Sequence, residues 1–322
     1  MIYIGFMKTM TPSLRFGVVF LLLALAISAR QNTAELPKLS GPFLGQQTPG
    51  NQSRVFAPDF VSTKLGELNS IFSRDGQEFY FSRRGMRERP AAIMVTRLKN
   101  DVWTKPEPVD FTSPHSDIDL FVTSDGGSMI FCSNRPHQKG DPAKADHDFW
   151  ISKREGSRWA EPVLFAKEAA SEYEDYFPVV TKSGNLYFNS QRGGPGTNDI
   201  YCSRFAGGKY SAAEKLPEPI NTPSREFDAY VSPDENMIIF SSTKPGGFGG
   251  SDIYLSFKRA DGTWTEPLNM GNDINSTASE YGATISPDGK YFFYTSTKNG
   301  SEDIYWVSAK IIDELRAKVK WQ

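Results

Sequence analysis

A turn followed by an aromatic-rich strand recurs five times along this chain, four times with a further strand headed by aspartate, and no other feature constrains its fold as much. The clearest copy runs from Glu226 to Pro267, EFDAYVSPDENMIIFSSTKPGGFGGSDIYLSFKRADGTWTEP. Short runs of β-branched and aromatic residues alternate there with Ser-Pro-Asp-Glu, Lys-Pro-Gly-Gly-Phe-Gly-Gly and Ala-Asp-Gly. Runs of this length between Gly, Pro and Asp clusters read as antiparallel strands joined by tight turns. Four such strands in about fifty residues is the size of one propeller blade.

The first turn appears as Ser73-Arg74-Asp75-Gly76, Thr123-Ser124-Asp125-Gly126, Thr181-Lys182-Ser183-Gly184, Ser232-Pro233-Asp234-Glu235 and Ser286-Pro287-Asp288-Gly289. Its last positions, 76, 126, 184, 235 and 289, lie 50, 58, 51 and 54 residues apart. The third strand opens with Asp148-Phe149-Trp150, Asp199-Ile200-Tyr201, Asp252-Ile253-Tyr254 and Asp303-Ile304-Tyr305; the first repeat keeps only Ile93-Met94 there. Trp103, Trp159, Tyr210 and Trp264 announce the fourth strand. One repeat cannot bury both its faces, so copies must stack on each other. The spacing predicts an all-β fold, a closed β-propeller of four-stranded blades. Five blades are predicted, and a sixth would need a degenerate repeat hidden in 31–66. The last repeat lacks a fourth strand, whereas Arg54–Pro58 precedes the first without one to join. The N-terminal strand is therefore expected to close the last blade, which protects the strand edges that an open ring would expose.

The ends of the chain are of different character. Lys8 and Arg15 precede an apolar run, Phe16 to Ala29, of 14 residues. That suits a signal-peptide core and is short for a span of about 20 residues. Residues 1–30 read as a signal peptide or N-terminal anchor, 31–52 as a linker, 53–310 as the propeller and 311–322 as a helical tail. The expected location is periplasmic or secreted, the alternative being a propeller held outside the cytoplasm by an uncleaved N-terminal segment, its one membrane contact. A net charge of −2 gives no basic patch for nucleic acid. Two cysteines, Cys132 and Cys202, exclude a disulfide framework and a cysteine-rich zinc site. They read as buried free thiols, with a disulfide as the alternative.

Ser-Pro-Asp-Gly before an aromatic strand ending in Ser, then Asp-Ile-Tyr, then Trp-x-Glu-Pro, resembles the WD40-like propeller repeat of TolB and its exported bacterial relatives. The resemblance covers roughly residues 53–310. It implies a β-propeller, often periplasmic or secreted, and in many members a protein-binding module. TolB has six such blades and a separate N-terminal α/β domain, whereas this chain shows five repeats after a short linker, so TolB's own partners do not carry over.

The sharpest chemical pattern is acidic. Six residues before each first turn stands a carboxylate: Glu67, Asp117, Asp175, Glu226 and Glu280. Inner strands line a propeller's channel, so these five could form a ring at its mouth, holding a cation or a basic segment of a partner. A basic residue follows each second strand (Arg83 or Arg84, Arg135, Arg192, Lys244, Lys298), so inter-blade ion pairs are the structural alternative. Repeat two carries a polar insertion, Pro136–Asp148, and loops on a rigid scaffold carry function. Asp141, Asp146, His147 and the neighbouring Trp150 are its candidate ligand contacts. The turn aspartates read as caps of their own turns. There is no Gly-x-Ser-x-Gly elbow and no His-Glu-x-x-His helix. No catalytic residue, bound metal or cofactor is predicted beyond the channel cation, and an enzyme is not the leading reading. The chain is expected to be an exported, monomeric binding or scaffold module for a protein or cell-envelope ligand, with a carbohydrate-binding or carbohydrate-active propeller as the alternative.

Overall fold

The computed structural model describes residues 36–321 apart from 86–89, 112, 139 and 195. The N-terminal apolar run lies outside the described residues. Five antiparallel sheets follow one another along the chain, each led by an inner strand: Glu67–Phe72, Asp117–Val122, Asp175–Val180, Glu226–Val231 and Glu280–Ile285. Each inner strand pairs with the aromatic strand after its turn, and that strand pairs with the one headed by Asp or, in blade one, by Ala92. The result is a five-bladed β-propeller.

Closure follows the sequence expectation. Arg54–Val55 pairs antiparallel with Asp303–Ser308, Arg54 opposite Trp306 and Val55 opposite Tyr305. Phe56 then donates its backbone N–H to Ile304 O at 2.7 Å. Its ring is wholly buried and packs on Phe79, Trp306 and Phe293 at centroid distances of 4.9, 5.1 and 5.2 Å. An aromatic of this size contributes on the order of 2–3 kcal/mol by burial alone.

The hydrophobic core lies in the seams between blades, not inside them. Tyr80, Ile93 and Val95 of blade one meet Leu120, Phe131 and Trp159 of blade two. Comparable seams join each later pair, and the closing strand belongs to the last one. The recurrent tryptophans serve these seams. Trp159 Nε1 donates to Tyr80 Oη of the neighbouring blade at 3.1 Å, so the ring is buried with its polar edge satisfied.

Two faces result. Inner strands begin, and third strands begin, on what is here called the loop face; the first turns and the hairpins after the third strands lie on the turn face. The turn aspartates cap their own turns: Asp75 Oδ1 accepts from the Ser73 hydroxyl at 2.7 Å and from Gln77 N at 3.0 Å, and Asp288 does the same with Ser286 and Lys290. Hydrogen bonding holds the Asp75 carboxyl below its ordinary range.

The segment of linker composition is not loose where it is described. Trp103 N donates to Leu39 O and Trp103 Nε1 to Gly41 O, both at 2.8 Å, and Phe43 packs on Tyr291 and Phe72. The tail forms a helix, Lys310–Arg316, whose Ile312 and Leu315 join the seam between blades four and five. Cys132 and Cys202 are buried free thiols.

Candidate functional site

The repeated carboxylates are structural clasps. All five are 0–2% exposed. Glu67 accepts from Thr63 N and Oγ1 at 2.6 and 2.7 Å; Glu280 accepts from Ser276 N and Oγ at 2.8 and 2.6 Å. Asp175 and Glu226 do likewise with Ser171 and Thr222, and Asp117 with the Ser113 hydroxyl. A hydroxyl residue four positions earlier thus folds the incoming loop onto each inner strand. Arg83 pairs with Glu67 at 2.8 Å, Arg135 with Asp117 at 2.8 Å and Arg192 with Asp175 at 3.1 Å. These pairs lie within blades, not between them, because the start of the inner strand faces the end of its antiparallel neighbour, Asp117 opposite Ser133. In blades four and five the second strand's serine supplies the bond instead, Ser242 to Glu226 and Ser296 to Glu280. Lys244 and Lys298 rest over the rings of Tyr254 and Tyr305 at 4.0 and 3.9 Å. The five carboxylates therefore offer no open oxygen to the channel mouth.

The inserted loop spreads its candidate residues apart. Asp141 is exposed. Asp146 pairs with Lys144 at 2.9 Å, and Lys144 also holds Asp148. Trp150 is 6% exposed and packs under Arg135 within a seam, so it presents no surface to a ligand. His147 alone turns inward: its backbone N and Nδ1 both lie 3.1 Å from Glu174 Oε2, and its ring stacks obliquely on Tyr176 at 5.4 Å.

What His147 faces is a second acidic set, two residues further along the inner strands. Each inner strand carries a register shift there, with a left-handed residue: Asn69 (φ 44°), Asp119 (52°), Phe177 (54°), Asp228 (51°) and Gly282 (66°). Asn, Asp and Gly adopt this conformation most readily, and a bulge re-aims the side chain it carries. The freed N–H groups are taken up by the preceding blade: Asn69 N donates to Thr295 Oγ1 at 3.2 Å, Asp119 N to Ser82 Oγ at 3.1 Å and Asp228 N to Asn189 Oδ1 at 3.1 Å. The five bulges so form a hydrogen-bonded girdle around the axis.

Asp119 and Asp228 are the charged members of that girdle. Asp119, of blade two, feels His147, Arg84 of blade one and Glu302 of blade five; Asp228, of blade four, feels Asp119, Arg225 and Arg84. Only a place at the axis brings all these within reach. Burial pushes the Asp119 carboxyl up to about 6, with His147 and Arg84 pulling the other way. Burial, then the charge of Asp119, raises the Asp228 carboxyl well above its ordinary value. Among the described residues no side chain donates a hydrogen bond to either carboxylate; the nearest donors are the backbone N–H groups of the next bulges, Phe177 and Gly282. Asn69 Oδ1 and His147 Nε2 are buried without a partner. On the far rim Arg84 grips Glu302 through Nε and Nη2, and Tyr281 donates to the same carboxylate. The site is thus an axial cluster of acceptors in which the Arg84 and Tyr281 donors are engaged by Glu302 rather than by the Asp pair. The sequence reading missed Asp119 and Asp228; their signal is an acidic residue two places after the conserved-spacing carboxylate, present in only two of the five repeats.

No known family's sequence profile matches the chain, and no curated protein does. Solved structures do resemble it. A glycoside hydrolase is similar at 12% identity and a TM-score of 0.53, over 82% of this chain and 93% of its own. An endo-arabinase from Bacteroides thetaiotaomicron is similar at 13% identity and a TM-score of 0.52, over 81% of this chain and 97% of its own. TolB from Acinetobacter baumannii is similar at 14% identity and a TM-score of 0.45, over 74% of this chain but only 53% of its own. What the first two likenesses show is the fold, and on that ground and its own strand pairing the chain is a five-bladed β-propeller.

Proposed function

We propose that the chain is an exported binding propeller that recognises a protein or cell-envelope ligand at the axial acid pair on its loop face. The observation that carries this reading is the pair itself. Asp119 and Asp228 are held by the fold where burial disfavours their charge, with no side-chain donor to either among the described residues. A desolvated carboxylate whose donors are backbone N–H groups alone is under-satisfied, and a fold that brings the buried Asp119 near the half-buried Asp228 suits a ligand that supplies further donors. A lysine or arginine from an extended segment of a partner protein supplies both charge and N–H groups; a bound cation would satisfy the same oxygens. The basic stretch and apolar run at residues 8–29 support export.

The test is binding of unstructured peptides that carry single or paired lysines and arginines, read by calorimetry, against an Asp119→Asn, Asp228→Asn double variant. Micromolar binding that weakens at least tenfold in the variant supports the reading; equal binding by both sinks it. A second reading has its own observation. Tyr176 and Tyr281 stand with Glu174 and Glu302 beside the pair, a mixture of rings and carboxylates that suits sugar hydroxyls, which are also donors. The fold is shared with a glycoside hydrolase and an endo-arabinase. If envelope glycan binds or is shortened, and the double variant loses this, the carbohydrate reading replaces the first.

A further inference from the structure

The channel has a second mouth, on the turn face, and it is apolar where the other is acidic. A cavity of about 250 Å³ opens there between the ends of the inner strands. Every blade contributes an apolar side chain to it: Ile71, Phe121, Val180, Tyr230 and Ile285. All five are half-buried, while Phe72, Val122 and Val231, next to three of them, are buried. Strand alternation is the cause: successive side chains point to opposite sides, so one fills a seam and its neighbour is left facing the axis. Close packing leaves few voids of this size in a protein interior, so this collar holds apolar surface that a molecule seated there would take out of water.

The collar is aromatic on two sides. Phe121 and Tyr230 belong to blades two and four, which are not adjacent, so what separates their rings is the mouth of the channel. Among the described residues neither ring packs on another aromatic ring, whereas Phe56 of the closing seam meets Phe79 and Trp306 at 4.9 and 5.1 Å. The Tyr230 hydroxyl also has no hydrogen-bond partner among the described residues. Burial, and after it the charge of Asp234, pushes that phenol up to about 12, so it stays protonated and able to donate. The rim carries both signs of charge. Arg74 is the charged residue of the lining, and Asp75, Asp125, Asp234 and Asp288 adjoin the lining in their turns, each tied to a Ser or Thr hydroxyl of its own turn. Lys153 and Lys290 stand beside Asp125 and Asp288, and Lys182 N bonds Pro233 O at the rim. Further out, Glu235 faces Lys258 at 3.9 Å, and Asp261 has Arg259 beside it. The mouth is therefore neither a basic nor an acidic patch.

We propose that this mouth is a binding site for a small neutral aromatic molecule that carries one hydrogen-bond-accepting oxygen, an aryl alcohol, ether or ketone by chemical class. Its ring lies against Phe121 and the aliphatic side chains of the collar, where offset and edge-to-face contacts favour an aromatic body. Its oxygen accepts from the Tyr230 hydroxyl. A cavity of roughly 150 Å³ suffices for a benzene ring, so the space here admits a ring with a short substituent. A charged substituent meets charges of both signs at the rim and loses water at the collar, so the neutral molecule is favoured. The inference does not draw on what the axial acid pair binds at the other mouth.

The test titrates the full chain, with its Ile and Val methyl groups labelled for NMR, with four one-ring probes: benzyl alcohol, toluene, benzoate and benzylammonium. Benzyl alcohol should shift the methyl signals of Ile71, Val180 and Ile285 with a millimolar dissociation constant, the range open to so small a ligand. It should bind at least about tenfold more tightly than benzoate or benzylammonium, whose rings are the same and whose charges are opposite. Tyr230→Phe keeps the ring and removes the hydroxyl, so it should weaken benzyl alcohol roughly threefold to tenfold and leave toluene unchanged. The melting temperature of that variant confirms that the comparison is made on folded protein. Absence of shifts at the three methyl positions with every probe overturns the proposal. So does benzoate or benzylammonium binding as tightly as benzyl alcohol, or a Tyr230→Phe variant that binds benzyl alcohol as well as the unaltered chain.

Discussion

At the scale of single residues the molecule separates two uses of a carboxylate. Asp117 is nearly inaccessible and ion-paired with an equally buried Arg135. Removing one member leaves the other charge buried and alone, which costs about 3–5 kcal/mol. Asp117→Ala should lower stability by that order in urea unfolding, whereas Glu280→Gln, where the partners are hydroxyls and one backbone N–H, should cost only about 1–2 kcal/mol. Asp119 differs in having no side-chain partner among the described residues. Its folded-state carboxyl is raised from 3.8 to about 6 by burial, so the folded protein keeps a proton that the unfolded chain has already released. Between these values the unfolded state binds fewer protons, and stability falls as pH rises from about 4 through about 6. The neighbouring Asp228, raised in the same direction by burial and by the charge of Asp119, adds to the fall, and the two titrate as a pair. Asp119→Asn should flatten that part of the profile and raise the melting temperature at pH 7. A profile of melting temperature against pH that is the same for both proteins would contradict the burial argument.

Among the elements, the loop between the second and third strands of blade four is held closely against its neighbours. Asp252 accepts from Phe248 N at 2.6 Å and Gly249 N at 3.1 Å, and Gly250 N donates to Ala278 O at 2.6 Å. A Cβ on Gly249 would meet Ala278 O at 2.2 Å and Ser276 O at 2.3 Å, both backbone atoms of the next blade. Gly249→Ala should therefore push the loop off blade five and cost on the order of 1–3 kcal/mol. Gly246→Ala, with open space around it but φ at 89°, should cost nearer 1 kcal/mol from backbone strain alone. Comparing the two melting curves separates crowding from strain; equal losses would mean that the loop is free to move. The bulges of the inner strands belong to this scale too. They exist because each freed N–H finds a side chain of the preceding blade, an arrangement that the blades create for one another.

For the whole molecule, closure is the decisive contact. Arg54–Val55 contributes only two paired residues, yet it covers the last blade's open edge, and Phe56 behind it fills the seam between blades five and one. Phe56→Ala should cost about 3–5 kcal/mol by leaving a cavity at the point where the ring is joined. Deleting the residues before Asp59 should also expose that edge and make the chain associate, visible as a concentration-dependent shift in gel filtration. Monomeric, fully stable protein after that deletion would show that five blades close without the strand.

Much of this architecture was legible before any coordinates. The five turns, the alternating aromatic strands and the orphan strand at Arg54 specify a closed five-bladed ring, because strand periodicity, turn chemistry and edge protection are local rules that a repeat states five times over. The site was not legible in the same way. Glu67, Asp117, Asp175, Glu226 and Glu280 stand out because they repeat, and they repeat because every blade needs the same clasp. Asp119 and Asp228 share an offset with each other but with none of the other three repeats, a signal too sparse to single them out. Their charge state and their proximity come from bulges at the axis, where residues more than a hundred positions apart are brought together by the closing of the ring. Periodicity in a sequence reports the scaffold that all blades share; what differs between blades acquires its chemistry only when the tertiary structure gathers it at the centre.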